Sequence, residues 1–193
     1  MRLFVGIELP REIQNKLAEL YADLPDLRWV PPENIHLTLC FLGEVGQHRL
    51  ADLRESLEEA ALEGPAAFDI SIKGIGQFVR GNSHRNHSSG SVLWAGVEAP
   101  PALAKLHERV KRALLEVGLP PERKKFLAHI TVARSKFNIP RGINEYMELH
   151  QNFTTEPFPV DGFELFSSRL RPEGAVHTIE ESYLLAPSEE GPA

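Results

Sequence analysis

A five-residue pattern that occurs twice constrains the fold of this 193-residue chain more than any other feature. The first copy is HLTLC at residues 36–40, and the second is HITVA at residues 129–133. Successive side chains of a β-strand point to opposite faces. Each copy, if it is a strand, therefore places His, Thr and a small residue on one face and two aliphatic residues on the other. We predict that the aliphatic faces belong to the core and that the two polar faces form a site.

The composition is that of a globular domain, with 42% hydrophobic and 25% charged residues. A net charge of −6 argues against a broad basic surface for long nucleic acids, including DNA. It is compatible with a local pocket that holds one phosphate. We expect a single bilobal domain over residues 1–187 and a loose tail over residues 188–193. The single cysteine, with no signal peptide or membrane span expected, predicts a cytoplasmic protein with no membrane partner.

Helix and strand signals follow the same order in both halves of the chain. Helical periodicity covers about residues 11–24, 47–62, 101–117 and 142–151. Strands are predicted near residues 2–8, 36–42, 68–75, 92–97, 127–134, 158–166 and 182–185, with an exposed loop at 80–91. Each half has a strand, a helix, a proline-rich approach and then the His-x-Thr strand. We predict an α+β fold in which two pseudo-symmetric lobes with antiparallel sheets flank a central cleft, with the helices outside.

Two histidines that face one cleft are suited to general acid–base catalysis. Histidine titrates near pH 6.5, so one ring can be neutral while the other is protonated near neutrality. Displacement at phosphorus needs such a pair, because one group takes a proton from the attacking water and the other gives one to the leaving oxygen. The threonine hydroxyls, two residues further along each strand, could bind the non-bridging phosphate oxygens.

The motifs and their flanking sequences resemble the two-histidine phosphoesterase superfamily. Within it, the chain is similar to the bacterial and archaeal RNA 2′,3′-cyclic phosphodiesterases, also called 2′-5′ RNA ligases. The segments that carry this resemblance are residues 4–10, 28–36, 41–44, 92–97, 126–134 and 168–175. The resemblance covers nearly the whole chain, and it rests on an ordered set of motifs.

This resemblance implies hydrolysis of an RNA-terminal ribose 2′,3′-cyclic phosphate to a 2′-phosphomonoester, without a metal or other cofactor. For some relatives it also implies reversible 2′-5′ joining of tRNA halves. The expected partners are RNA 3′ ends or related nucleotides, and the expected state is a monomer. By position, His36 and His129 are the catalytic pair, Thr38 and Thr131 bind the phosphate, and Arg134 matches a family arginine.

Two residues next to the second motif differ from what strand alternation or the family pattern would give. Strict alternation puts Arg134 on the opposite face from His129, so a role in the site requires that the strand end or form a bulge there. The family usually has proline immediately before the second histidine, where this chain has Ala128. That difference should alter the stiffness of the backbone more than the chemistry.

Two other functions are compatible with the residues. One is an esterase that acts on a small cyclic nucleotide phosphate, and the other is an RNA-binding module without catalysis. The sequence leaves open which histidine is the acid and which is the base. A structure with a bound 2′-nucleotide would distinguish them.

Other notable residues have ordinary structural explanations. Cys40 is expected to be a small buried residue rather than a nucleophile. His84 and His87 lack the further ligands that a metal site needs. The basic run 123–125 either is solvated surface or contacts an RNA backbone. The same two explanations apply to Arg169 and Arg171. The expected core aromatics are Phe78, Trp94 and Phe166.

Overall fold

The computed structural model describes residues 1–79, 90–122, 125–135, 140–171 and 174–188. In chain order its helices and strands are β1 (Arg2–Glu8), α1 (Arg11–Ala18), β2 (Arg28–Trp29), β3 (His36–Glu44), α2 (Leu50–Leu62), β4 (Phe68–Val79), β5 (Ser91–Glu98), α3 (Pro101–Glu116), β6 (His129–Ser135), α4 (Ile143–Leu149), β7 (Phe158–Val160), β8 (Gly162–Arg171) and β9 (Gly174–Leu184). The predicted loop 80–91 lies outside the described residues except for its last two positions. Arg123 and Lys124 also lie outside them, as does the predicted tail beyond Ser188.

One antiparallel sheet connects the two halves of the chain. Its strand order is β7-β4-β5-β6-β3-β1-β8-β9, and β2 pairs with β6 beside this path. The strands of the two His-x-Thr motifs, β3 and β6, are neighbours at the middle of the sheet. The predicted α+β class with antiparallel strands is confirmed. The extent of the single domain over residues 1–187 stays a prediction.

The helices pack against the face of the sheet opposite the motif histidines. Apolar residues of β1, β3 and β6, such as Val5, Leu37 and Val132, are fully buried in one cluster with residues from all four helices. Each fully buried aliphatic side chain of this kind stabilises the fold by about 1.5–3 kcal/mol. The motif strands are therefore anchored by their aliphatic faces, which leaves their polar faces on the open side. None of the helices in the described part of the chain is long and apolar enough to cross a membrane.

Some boundaries differ from the predicted ones. The first helix ends at Ala18 rather than near residue 24. Beyond it the backbone makes tighter turns, and the Tyr21 hydroxyl donates to the carbonyl of Val30, which holds the chain back against the start of the next segment. The last strand is much longer than predicted, because β9 pairs with β8 from Gly174 to Leu184.

Candidate active site

The two His-x-Thr motifs lie side by side in opposite directions. Leu37 of β3 is the register partner of Ile130 of β6 in an antiparallel pair. Extending this register places His36 across from Thr131 and Thr38 across from His129. The two histidines are then diagonal neighbours, whose Cα atoms are about 7–8 Å apart by ordinary antiparallel spacing. A pseudo-twofold axis thus relates two His/Thr arms on one face.

Each motif histidine is oriented by the same backbone contact. Nδ1 of His36 lies 2.8 Å from the carbonyl oxygen of Asn34, and Nδ1 of His129 lies 2.7 Å from that of Leu127. A carbonyl oxygen only accepts, so Nδ1 carries the proton in both rings. Nε2 of each neutral ring is then free to accept a proton, and Nε2 of each protonated ring can donate one. Both histidines therefore have the tautomer that acid–base chemistry at Nε2 requires.

A bulge interrupts both motif strands at the same place. In β6, Thr131 pairs with Trp94 but Ala133 pairs with Leu93, so Val132 is the extra residue. In β3, Thr38 pairs with Gly6 but Cys40 pairs with Val5, so Leu39 is the extra residue. A bulge of one residue reverses the alternation of the side chains that follow it. Cys40 and Ala133 therefore do not lie on the face of the histidines. The prediction that each motif places His, Thr and a small residue on one face is wrong for the small residue.

The displaced small residues lie in the core. Cys40 and Ala133 are 4% and 0% exposed, and both belong to the main apolar cluster. Burial raises the pKa of the Cys40 thiol to about 12, and its charged neighbours Lys111 and Glu108 are on α3. Cys40 therefore faces the helices, and its expected role as a small buried residue is confirmed.

The same bulges bring Phe41 and Arg134 back toward the open face at equivalent positions. Arg134 is exposed, and its charge helps to lower the pKa of both His36 and His177. The structural condition for Arg134 to serve the site is therefore met, although its role stays a prediction. Phe41 is 49% exposed and its ring lies 5.9 Å from that of Phe4. The cleft thus has a cation in one arm and an aromatic ring in the other.

His36 is held among aromatic rings. It stacks on Phe4 with ring centroids 4.6 Å apart, and Phe166 lies 5.7 Å away. Burial lowers the pKa of His36 from 6.5 to about 4, against the opposing effect of its bond to the Asn34 carbonyl. The charges of His177, Arg134 and His129 lower it further. His36 is therefore neutral near pH 7 in the free protein.

His129 is bordered by Phe78 and Trp94. The rings of Phe78 and His129 meet edge to face, with their centroids 5.0 Å apart. The centroid of the Trp94 ring lies 6.4 Å from that of His129. The Trp94 ring lies across Gly76, where any Cβ would overlap it. The sequence indicated core positions for Phe78, Trp94 and Phe166, but did not indicate that all three contact a motif histidine.

A third histidine that the sequence analysis missed lies beside His36. The rings of His36 and His177 are 5.0 Å apart and nearly perpendicular. Asn34 connects the two: its Oδ1 accepts from the backbone N–H of His177 at 3.3 Å, and its Nδ2 donates to the carbonyl of Ala175 at 3.0 Å. The alternating stretch AVHTIE at residues 175–180 is a strand signal that could have placed His177 on a polar face.

Within the described residues, no group of three or more His, Cys, Asp or Glu side chains is arranged to hold a metal ion. His84 and His87 lie outside those residues. Among the described residues, neither Thr38 nor Thr131 uses its hydroxyl in a hydrogen bond to another side chain or to the backbone. Both hydroxyls remain available to a ligand in the cleft.

A comparison with known proteins identifies the family of this chain. The family model described as LigT-like phosphoesterase matches residues 7–86 and 96–177, which include both motifs. The chain belongs to the LigT-like phosphoesterase family. Several curated proteins named RNA 2′,3′-cyclic phosphodiesterase match over most of their own lengths. That of Thermotoga maritima is 33% identical over 93% of this chain and 92% of its own, and that of Thermus thermophilus is 35% identical over 96% of this chain and 90% of its own.

Solved structures give the same result for the fold of this LigT-like phosphoesterase. A crystal structure of a Thermus thermophilus protein superposes with a TM-score of 0.77 at 30% identity, covering 98% of this chain and 100% of that one. The structure of Escherichia coli LigT without ligand superposes with a TM-score of 0.73 at 25% identity, covering 96% and 97% of the two chains. The resemblance inferred from the motifs is therefore confirmed.

Proposed function

We propose that this protein hydrolyses the 2′,3′-cyclic phosphate at an RNA 3′ end to a 2′-phosphomonoester, with His36 and His129 as the acid–base pair. The observation that carries the proposal is the shared orientation of the two rings. Each donates Nδ1–H to a backbone carbonyl two residues earlier, which leaves Nε2 as the nitrogen that can exchange a proton with the substrate. An in-line displacement needs one such group on either side of the phosphorus.

In this reaction a water oxygen attacks the phosphorus and the bond from phosphorus to O3′ breaks. One histidine takes a proton from the attacking water, and the other gives a proton to the departing O3′. The products are a 2′-phosphomonoester and a free 3′-hydroxyl. The two histidines exchange protonation states during the reaction and are restored by proton exchange with solvent.

The remaining residues of the face would stabilise the phosphate. By the strand register, Thr38 and Thr131 are each across from the histidine of the opposite arm, and their hydroxyls would donate to the two non-bridging oxygens. The guanidinium of Arg134 would offset the negative charge that these oxygens carry in the transition state. A bound phosphate would also favour protonation of one imidazole, against the burial that keeps His36 neutral.

Relatives of the chain support the substrate class. The curated proteins from Thermotoga maritima, Archaeoglobus fulgidus and Thermus thermophilus that match most of this chain are named RNA 2′,3′-cyclic phosphodiesterase. We extend that activity to this chain because the match includes both arms of the site. A monomeric state, a cytoplasmic location and reversible 2′-5′ joining of RNA ends belong to the same proposal, and they rest on the sequence alone.

The proposal is tested with an RNA oligonucleotide that ends in a 2′,3′-cyclic phosphate and with the corresponding nucleoside cyclic phosphate. Replacing either His36 or His129 with Asn should lower kcat/KM by roughly 10²–10⁴-fold, the usual contribution of one acid or base. His150→Asn is the matched control, because its Nδ1 also contacts a backbone carbonyl, but at the end of α4. Turnover of the mononucleotide alone would favour the small-nucleotide esterase, and no turnover of either substrate would favour the binding module.

A further inference from the structure

A pocket of about 190 Å³ opens beside His36. Its wall includes His36 itself, the acidic residues Glu8 and Glu33, His177, and the apolar residues Phe166 and Ile179. Of these residues, only His36 takes part in the proposed acid–base chemistry. The pocket is therefore a second compartment that adjoins the reaction centre.

The charge of this pocket is unsuited to phosphate. Glu8 is the register partner of His36 on the neighbouring strand, and its backbone N–H donates to a carboxylate oxygen of Glu164 at 2.8 Å. No lysine or arginine contributes to the wall of the pocket in the described part of the chain. A group that enters here would be neutral and rich in hydrogen-bond donors, whereas the phosphate would be held by the motif arms.

The wall also has a flat apolar side. Phe166 stacks on Phe4 with centroids 4.8 Å apart and an angle of 7° between the rings, which keeps its plane fixed. Ile179 is 39% exposed and adds aliphatic surface at the rim. Aromatic and aliphatic surfaces of this kind pack against the faces of nucleobases. The pocket therefore combines an apolar wall with polar groups that can read the edge of a ring.

His177 supplies a polar atom that has no partner in the protein. Its Nδ1 is buried without a hydrogen bond to any described residue. Its backbone is held by the Asn34 side chain, and the carbonyl of the same Asn34 orients His36. A buried nitrogen without a partner is costly unless a ligand or water satisfies it. The position of this nitrogen is coupled through one residue to that of a catalytic candidate.

We propose that the pocket is a nucleobase subsite that selects guanine at the RNA end. Guanine is the base with two adjacent donors on its Watson–Crick edge, N1–H and N2–H, which match the two oxygens of one carboxylate. Glu8 or Glu33 would accept these donors, and Nδ1–H of His177 would donate to O6. Adenine, cytosine and uracil each lack that pair of adjacent donors. The inference rests on the proposed function, because the ribose cyclic phosphate brings the base next to His36.

The test measures kcat/KM for the four nucleoside 2′,3′-cyclic monophosphates with the wild type and with the double variant Glu8→Gln/Glu33→Gln. The wild type should prefer the guanosine substrate by about tenfold or more, the discrimination typical of a two-point contact to a base edge. The double variant should lose most of that preference, so that its kcat/KM for the guanosine substrate falls toward its own value for the uridine substrate. Glu116→Gln is the control, since this carboxylate is exposed on α3 and belongs to no wall of the pocket.

Equal kcat/KM values for the four bases would overturn the inference, as would a guanine preference that the double variant retains. Both results would leave the phosphodiesterase proposal standing. If none of the four substrates is hydrolysed, the proposed function fails and the subsite is tested by calorimetry with guanosine 2′-monophosphate and uridine 2′-monophosphate. Tighter binding of the guanosine nucleotide that Glu8→Gln/Glu33→Gln abolishes would support the subsite, and equal binding would refute it.

Discussion

Replacing Glu164 with Gln should stabilise the protein at neutral pH and leave it unchanged in acid. Glu164 is half-buried on β8 beside Gly6, on the same face as His36. Burial raises the pKa of Glu164 from 4.5 to about 7, and the nearby charge of Glu8 adds to this, while the bond from the Glu8 N–H opposes it. In the unfolded chain the carboxyl ionises near its ordinary pKa.

The sign follows from proton binding. Between pH 4.5 and 7 the native state holds a proton on Glu164 that the unfolded chain has lost, so this residue's contribution to stability is present below pH 4.5 and falls as pH rises. At about 1.36 kcal/mol per pH unit, the loss in the free energy of unfolding across this range is up to about 3 kcal/mol. The partial exposure of the carboxyl reduces this value. Gln is neutral at every pH and its amide oxygen still accepts the Glu8 N–H. The variant should therefore match the wild type near pH 4.5 and exceed it by up to about 3 kcal/mol above pH 7.

Urea unfolding at several pH values between 4.5 and 8 measures this difference. His36 has the opposite pH dependence, because its pKa is lowered to about 4 and its protonation destabilises the native state as pH falls from 6.5. Its contribution is present in both proteins and cancels when the two unfolding free energies are subtracted. Glu116→Gln, on the exposed surface of α3, is the control for the loss of one carboxylate. A difference that is independent of pH, or that shrinks as pH rises, would refute the environment assigned to Glu164.

Three further predictions concern the cleft. Gly76→Ala should cost about 1–3 kcal/mol of stability and lower activity, because the new Cβ forces the Trp94 ring away from its place beside His129; thermal unfolding and kcat/KM measure both effects. On a cyclic phosphate with sulfur in place of O3′, one of the variants His36→Ala and His129→Ala should recover much of its rate, since a thiolate leaves without a proton. Arg134→Gln should lower kcat/KM by roughly tenfold to a hundredfold, as expected for a lost charged contact to phosphate.

Each of these has a result that contradicts it. An alanine at residue 76 that leaves stability and activity intact would mean that Trp94 does not lie on that glycine. Recovery of both histidine variants on the sulfur substrate, or of neither, would contradict the division of acid and base between them. Arg112→Gln on α3 is the control for Arg134, and equal effects of the two would exclude a specific contact to the substrate.

The sequence was most informative where local periodicity decides the structure. His36, Thr38, His129 and Thr131 were predicted on one face because three consecutive positions of a strand alternate reliably. The fourth positions, Leu39 and Val132, are buried as predicted, but the face of the fifth position of each motif could not be predicted in this way. The extra residues at the two bulges become visible only in the pairing with β1 and β5, which is a long-range property.

The difference between local and long-range information also explains why His177 was not predicted as a site residue. His177 is 143 positions from Asn34, whose side chain holds it beside the first motif. An alternating pattern around His177 indicates a strand, but nothing local indicates which strands lie nearby. The shortened first helix has a similar cause, since the apolar spacing continues through Leu20 and Tyr21 while the contact from Tyr21 to Val30 bends the backbone.

The most direct test of the central claim is the hydrolysis of a 2′,3′-cyclic phosphate RNA end by the purified protein in excess chelator. The wild type should convert it to a 2′-phosphomonoester with a free 3′-hydroxyl, identified by phosphorus NMR. His36→Asn and His129→Asn should each lose roughly 10²–10⁴-fold in kcat/KM while they remain folded. Full activity of either variant would contradict the assignment of the two histidines as the acid–base pair, and a 3′-phosphate as the product would contradict the departure of O3′.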